Sequence, residues 1–442
     1  MQSAAHNPRS AAAYDRARLV MPGGNTRSTA FEAPFPLYIA SGAGAYVRDL
    51  DGKEYLDLQN NFTALIHGHC HEATVTALRR QLAAGLCFSS PTLLEVELAE
   101  LLCSRVPYFE QLRFTNTGSE AVMMAVKAAR ALTGRSRIAK CEGAYHGNYD
   151  PVEVSLDSAP ENWGDRLPRK IPFHCGTPQS VLDETVVLPF NDVETSAGIL
   201  EEVAANLAAV VVDLMPSRAG LIPATPAYLR FLRRFTKRHG ALLISDEVLN
   251  FRLGYQGAAA RLDFEPDLCA FGKIIGGGLP VGALAGRAYA MSVFDPSKGK
   301  PAVTHAGTFT ANPMTMTSGL AAMQAMTPEA FTRLDEMGER VRRELQRTFD
   351  DADMPAQVTG KGSLFLIHLK PNRPQSYRNA YRDADERRRL DKLIHSIRDH
   401  GVLLSPIGLG ALSTAMTAGD VDRLLEAFHD SLKMAESNVL RD

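Results

Sequence analysis

From about residue 110 the chain carries a succession of short runs that are apolar rather than alternating: QLRFTN, RIAKC, VVLPF, AAVVVDLM, ALLISDEV, DLCAFG and GALAG. A strand with one wetted face alternates apolar and polar residues, whereas a strand covered on both faces has no polar side to show. Amphipathic stretches such as EAVMMAVKAARAL and AYLRFLRRFTKRH lie between the runs, where a parallel sheet needs its crossover helices. The pattern predicts an α/β layer on a mainly parallel sheet flanked by helices.

Upstream, residues 44–58 (GAYVRDLDGKEYLDL) alternate about Asp51-Gly52 and predict a β-hairpin, since glycine supplies the positive φ of a tight turn. Helices are expected over roughly 71–84 and 92–105. Scattered Pro, Asn and Asp over about 148–182 read as a long surface excursion of the kind that walls active sites. After about residue 320 come a long charged helix, QVTGKGSLFLIHLK, a further helix, GVLLSP and a final helix, a smaller α+β unit. At 442 residues two lobes are expected. Residues 1–60 are expected to form an arm and hairpin belonging to the small domain, 61–320 the large domain and 321–442 the C-terminal small domain.

Charge narrows the partners. Lys and Arg number 48 against 50 Asp and Glu, a formal charge of −2 with no basic excess for nucleic acid. Six cysteines stand singly without a C-x-x-C pair, which fits reduced thiols. The opening residues (MQSAAHNPRSAAAYDRARLVMPGG) have Arg and Asp where a secretory signal needs an apolar core, and no apolar run is long enough to span a bilayer. The expectation is a cytoplasmic protein with no membrane partner.

His67-Gly68-His69-Cys70-His71 offers four metal-ligand types in five residues. Alternate residues of an extended segment point to opposite sides and no second Cys/His cluster completes a tetrahedron, so no metal is expected. No G-x-G-x-x-G, P-loop, G-x-S-x-G or H-E-x-x-H motif is present. In QLRFTNTGSEAVMMAV a strand ends and Asn116-Thr117-Gly118-Ser119 opens a helix, which is either a plain N-cap or a phosphate cup at the positive end of the helix dipole. Asp246 closes ALLISDEV, and Lys273 follows DLCAFG directly. These two are either a buried ion pair or a separate carboxylate and a lysine amine whose pKa burial lowers. A phosphate cup, an activated lysine and a separate carboxylate are together what pyridoxal 5'-phosphate asks of a protein, and Tyr145 in EGAYHG is available to cover its ring.

At this point the chain resembles the class III aminotransferases of the fold-type I pyridoxal phosphate superfamily. The resemblance runs in order through MPGGNTRS, DLDGKEYLDL, GHCHEA, FTNTGSEAVMMAVKAARALTGR, CEGAYHG, SDEVLNFR, FGKIIGGGLPVGALAGR and HAGTFTANPM. It implies a large domain with a seven-stranded, mainly parallel sheet and a smaller α+β domain. It also implies a homodimer and a ping-pong exchange between a small amino donor and a keto acid. Lys273 would be the Schiff-base lysine, Asp246 the partner of the pyridinium nitrogen, and Tyr145 and Val248 the residues sandwiching the ring. Thr117, Gly118 and Ser119 would hold the phosphate, with Thr308 reaching across from a partner subunit. Within the class the chain is most similar to β-amino-acid (β-phenylalanine) aminotransferases, whose substrate-carboxylate arginine matches Arg27, and to glutamate-1-semialdehyde aminomutases. Three departures stand out. Asp213-Leu214 replaces the usual Glu-Pro, Gln59-Asn60-Asn61-Phe62 replaces the aminomutases' tryptophan-bearing segment, and Ile407 stands where relatives often place an arginine.

Overall fold

The computed structural model describes residues 7–436. After a helix at Pro8–Ala17 come three short strands: β1 (Ile39–Ala43), β2 (Tyr46–Asp49) and β3 (Glu54–Asp57). β2 and β3 form the hairpin that the alternation predicts, with Tyr46 opposite Leu56. β1, which no alternation announced, pairs antiparallel with β2. Helices follow at Glu72–Ala84 and Leu93–Arg105.

The central sheet comprises β4 (Gln111–Thr115), β5 (Arg137–Cys141), β6 (Thr185–Leu188), β7 (Leu207–Asp213), β8 (Leu242–Asp246), β9 (Leu268–Gly272) and β10 (Gly282–Gly286), in the order β4-β10-β9-β8-β7-β5-β6. Every neighbouring pair from β6 to β9 is parallel, and β10 alone runs against both of its neighbours. The all-apolar runs have the predicted cause. On β7, Ala209 and Val211 pack in one core with Ala121, Ala125 and Ala128 of the helix Gly118–Thr133, while Val210 and Val212 pack in the other with Leu229 and Leu232 of the helix Pro226–His239. With both faces committed to packing, the carboxyl ends of the strands are where a charge can be carried. Ligands of open α/β sheets bind at that edge.

The last part of the chain adds β11 (Gln357–Thr359), β12 (Leu364–His368), β13 (Val402–Leu403) and β14 (Leu409–Ala411). β11, β12 and β14 form a small antiparallel sheet, whereas β13 joins the N-terminal hairpin, running parallel to β3 with Val402 opposite Leu56. The stretch 148–182 is not confined to the surface. Val152, Val154, Ser155 and Leu156 are buried, and the Ser155 carbonyl accepts from the Gly143 N–H at 2.8 Å. The excursion folds under the 142–147 loop because that loop, which leaves the sheet edge, needs backbone partners of its own. Among the described residues no helix is long and apolar enough to cross a membrane.

Arg252, in the turn after β8, is fully buried and fastens three remote segments. It donates to the Thr63 carbonyl at 2.8 Å, to Ser363 Oγ at 2.9 Å and to the Leu412 carbonyl. Its removal would leave buried carbonyls unpaired around a void. Arg252→Ala should lower the unfolding free energy by roughly 3–5 kcal/mol, read from the urea midpoint. Arg252→Lys, which keeps a donor, should lose less; equal midpoints for Arg252→Ala and the unaltered chain would refute the fastening role.

Candidate active site

β7 and β8 each end on a carboxylate, and their register sets Asp213 beside Asp246. Asp246 Oδ2 accepts from His146 Nδ1 at 2.7 Å, and Oδ1 accepts from the Val248 N–H at 3.0 Å. Burial lowers the His146 pKa, with Asp246 opposing, so the ring is neutral and gives its Nδ1–H to the carboxylate. His146 Nε2 is left buried without a partner. Burial first, and then the Asp246 charge, push Asp213 far above the usual carboxylate range. The Met215 N–H and Asn250 Nδ2 donate to it. Asp213 therefore holds its proton beside Asp246 at neutral pH.

Lys273 follows β9 at φ 51°. Its amine has no hydrogen-bond or ion-pair partner among the described residues, and burial lowers its pKa to about 8, with Asp246 opposing. The ion pair that the sequence left open is thus not formed, because Asp246 is held by His146. Lys273, Asp246 and Asp213 line one cavity of about 380 Å³ together with Tyr145, Val248 and the segment Asn116–Ser119.

That segment opens the helix Gly118–Thr133. Thr117 caps it, Oγ1 accepting from the Glu120 N–H at 3.1 Å, and Ser119 Oγ accepts from the Asn148 N–H at 3.1 Å. Both hydroxyl hydrogens stay available to a ligand, beside the unpaired first-turn N–H groups of any helix. A Cβ on Gly118 would come within 2.7 Å of both Val248 methyl carbons, so only glycine lets the cup approach Val248 this closely. Tyr145, 51% exposed, donates to Asn148 Oδ1 at 3.2 Å.

Two of the residues singled out in the sequence lie outside this cavity. Thr308 sits on an exposed turn and does not line it. Arg27 lines a neighbouring chamber of about 620 Å³ and reaches the first only through Asn61, to whose Oδ1 it donates at 3.0 Å. The histidine-rich turn is structural. His67 bonds Thr414 Oγ1 and the Ala322 carbonyl, His69 bonds Asp57, and His71 bonds Thr74.

Lys140 and Arg378 are positions that sequence reasoning did not single out, and the contact of His146 with Asp246 was not foreseen. Lys140 is wholly buried on β5 and donates to the Ala144 and Val154 carbonyls at 2.8 and 3.0 Å, fixing the loop that carries Tyr145 and His146. Arg378 clamps the same loop from the C-terminal part through Glu142, at 2.8 Å. The Tyr377 ring fills the space that a Cβ on Gly143 would need. A lysine inside an apolar strand was a legible signal for Lys140; nothing local marks Arg378, whose partner Glu142 is 236 residues away.

The donor set suits pyridoxal phosphate: a lysine amine with no protein partner, a carboxylate at the same edge, and a helix N-terminus with free hydroxyl hydrogens where a Cβ would intrude. Comparison with known proteins agrees. The family model "Aminotransferase class-III" matches residues 28–432. A curated glutamate-1-semialdehyde 2,1-aminomutase 2 of Geobacillus kaustophilus is 36% identical over 425 residues, covering 95% of this chain and 96% of its own. Among solved structures, an omega-transaminase from Sphaerobacter thermophilus is 48% identical with a TM-score of 0.96, covering 98% of this chain and 100% of its own. A transaminase with pyridoxal phosphate bound is 43% identical with a TM-score of 0.90, covering 98% and 99%. A β-phenylalanine aminotransferase from Variovorax paradoxus is 35% identical with a TM-score of 0.88, covering 98% and 96%. The chain belongs to the class III aminotransferases, fold-type I enzymes that work with pyridoxal phosphate.

Proposed function

We propose that the chain moves an amino group from a carboxylate-bearing donor, a β-amino acid, to a keto acid, with Lys273 and Asp246 as its catalytic residues. The observation that carries this reading is an amine with no protein partner sharing one cavity with a carboxylate that accepts from two N–H donors. The bound cofactor supplies a carbonyl that takes and returns the amino group and an electron sink for the carbon that loses a proton. Lys273 Nζ, with its pKa near 8, has a neutral fraction at physiological pH large enough to act as nucleophile and then to take and return a proton. Asp246, oriented by His146 and the Val248 N–H, would hold a proton on the cofactor's ring nitrogen. Asp213, protonated, adds no second negative charge. Thr117, Gly118 and Ser119 hold the phosphate, Tyr145 and Val248 cover the ring, and Thr308 serves the site of a partner subunit in a homodimer.

The donor reading rests on Arg27. Of the three carboxylates lining the outer chamber, Glu32 pairs with Arg398 and His395, Asp57 with His69, and Asp391 lies 3.5 Å from His395, so none of them pairs with Arg27, which is left for a ligand carboxylate. The relative from Variovorax is a β-phenylalanine aminotransferase, which favours this donor class. A second reading, a glutamate-1-semialdehyde aminomutase working within one substrate, is favoured by the name of the Geobacillus relative. 3-Amino-3-phenylpropanoate with a keto acid should give the new amino acid, whereas glutamate-1-semialdehyde alone should give no rearranged product. Rearrangement without any keto acid would select the second reading.

Two further outcomes test the site. Borohydride followed by peptide mass analysis should fix pyridoxal phosphate to the Lys273 peptide, and Lys273→Ala should lose the label and at least about 10³-fold in turnover. Cofactor uptake by the apoprotein should rise with pH through about 8, because the neutral amine is the nucleophile. A profile that rises only towards the ordinary lysine value of 10.5 would contradict the lowered pKa.

A further inference from the structure

Four consecutive residues after the hairpin, Asn60, Asn61, Phe62 and Thr63, have φ of 47°, 48°, 53° and 73°. Left-handed backbone is disfavoured for L residues, least for Asn, and rarely persists beyond one residue. Here the surroundings over-determine it. Asp57 Oδ1 accepts from the Gln59 and Asn60 N–H groups at 2.8 and 3.1 Å. Gln59 Nε2 donates to the Leu404 carbonyl at 3.0 Å, Asn60 Nδ2 to the Ala411 carbonyl at 2.7 Å, and Arg252 grips the Thr63 carbonyl. The turn is anchored through its backbone and through Gln59 and Asn60, which leaves the side chains of Asn61 and Phe62 exposed.

Those two side chains meet Arg27. Nη1 donates to Asn61 Oδ1 at 3.0 Å, and the guanidinium lies 5.1 Å from the centre of the Phe62 ring. Asn61 lines both the cofactor cavity and the outer chamber. Arg27 itself stands on an exposed, extended N-terminal segment. A long side chain in such a place has many rotamers, and each one excluded in advance lowers the entropic cost of binding.

We propose that Asn61 is a specificity-determining positioning residue: its side-chain carbonyl holds the Arg27 guanidinium at the junction of the two chambers, where the donor carboxylate is read. The inference rests on the reading that Arg27 binds that carboxylate. The left-handed turn is the device that carries Asn61 to this junction.

The test uses the holoenzyme and calorimetric binding of 3-phenylpropanoate, with 3-phenylpropan-1-ol as the uncharged counterpart, scored as the ratio of the two affinities. Arg27→Ala should lower the ratio by about 30-fold or more, as loss of a charge-assisted pair does. Asn61→Gly, which tolerates the left-handed backbone while removing the amide, should lower it by about 5–10-fold. Asn61→Asp should lower it further, because the new carboxylate would pair with Arg27 and repel the ligand. The double variant Arg27→Ala with Asn61→Gly should be no weaker than Arg27→Ala alone. An unaltered ratio in Asn61→Gly, or losses that multiply in the double variant, would overturn the positioning role while leaving the Arg27 reading intact. An unaltered ratio in Arg27→Ala would overturn both.

Discussion

The Asp246 carboxylate sits at the end of a strand whose every residue is buried, where an isolated charge would be neutralised by a proton rather than carried. Here it is not isolated: two N–H groups are aimed at it, one from its own turn at Val248 and one from the His146 ring. The second donor makes the rest of the architecture necessary. His146 belongs to a loop that leaves β5, two strands away from β8 in the sheet. The loop must therefore be held as firmly as the strand. The neighbouring carboxyl of Asp213 could undo the arrangement, and burial resolves the conflict by keeping its proton on.

Holding that loop draws on distant parts of the chain. Lys140 spends its buried amine on two carbonyls, Ser155 accepts the Gly143 N–H, and Arg378 reaches Glu142 from the C-terminal part. Arg252 fastens the opposite wall in the same way, through Thr63, Ser363 and Leu412. In each case a basic side chain is paired chiefly with backbone carbonyls, or with one carboxylate, in a buried or half-buried place. Such contacts tolerate little displacement, since an unpaired partner would bear the full cost of burial. The cofactor cavity is thus framed by segments from both ends of the chain, and its geometry depends on how those segments pack.

Much of the site was legible before folding was considered. Asp246 and Lys273 interrupt apolar runs at their ends, and both line the cavity. The N-cap at Thr117 reads directly from Asn-Thr-Gly-Ser before an apolar helix, and the cap is formed. The hairpin and the apolar strands follow from local periodicity. By contrast, the buried part of 148–182 was hidden by its turn-like composition, because its partners are carbonyls and amides of a remote loop. The left-handed turn at Asn60–Thr63 was hidden as well: two asparagines permit such a backbone but do not require it.

The amino-acid sequence by itself determined the layer, the strand ends and the chemical types offered there, since these follow from which side chains must avoid water and how often they recur. The tertiary structure alone decided which of those groups are charged and which are aimed at one another. It gave Asp246 to His146 and so left Lys273 without a protein partner, it kept Asp213 protonated, and it brought Asn61 to Arg27. Protonation and orientation depend on burial and on partners far away along the chain, and neither is a property of a local stretch of residues.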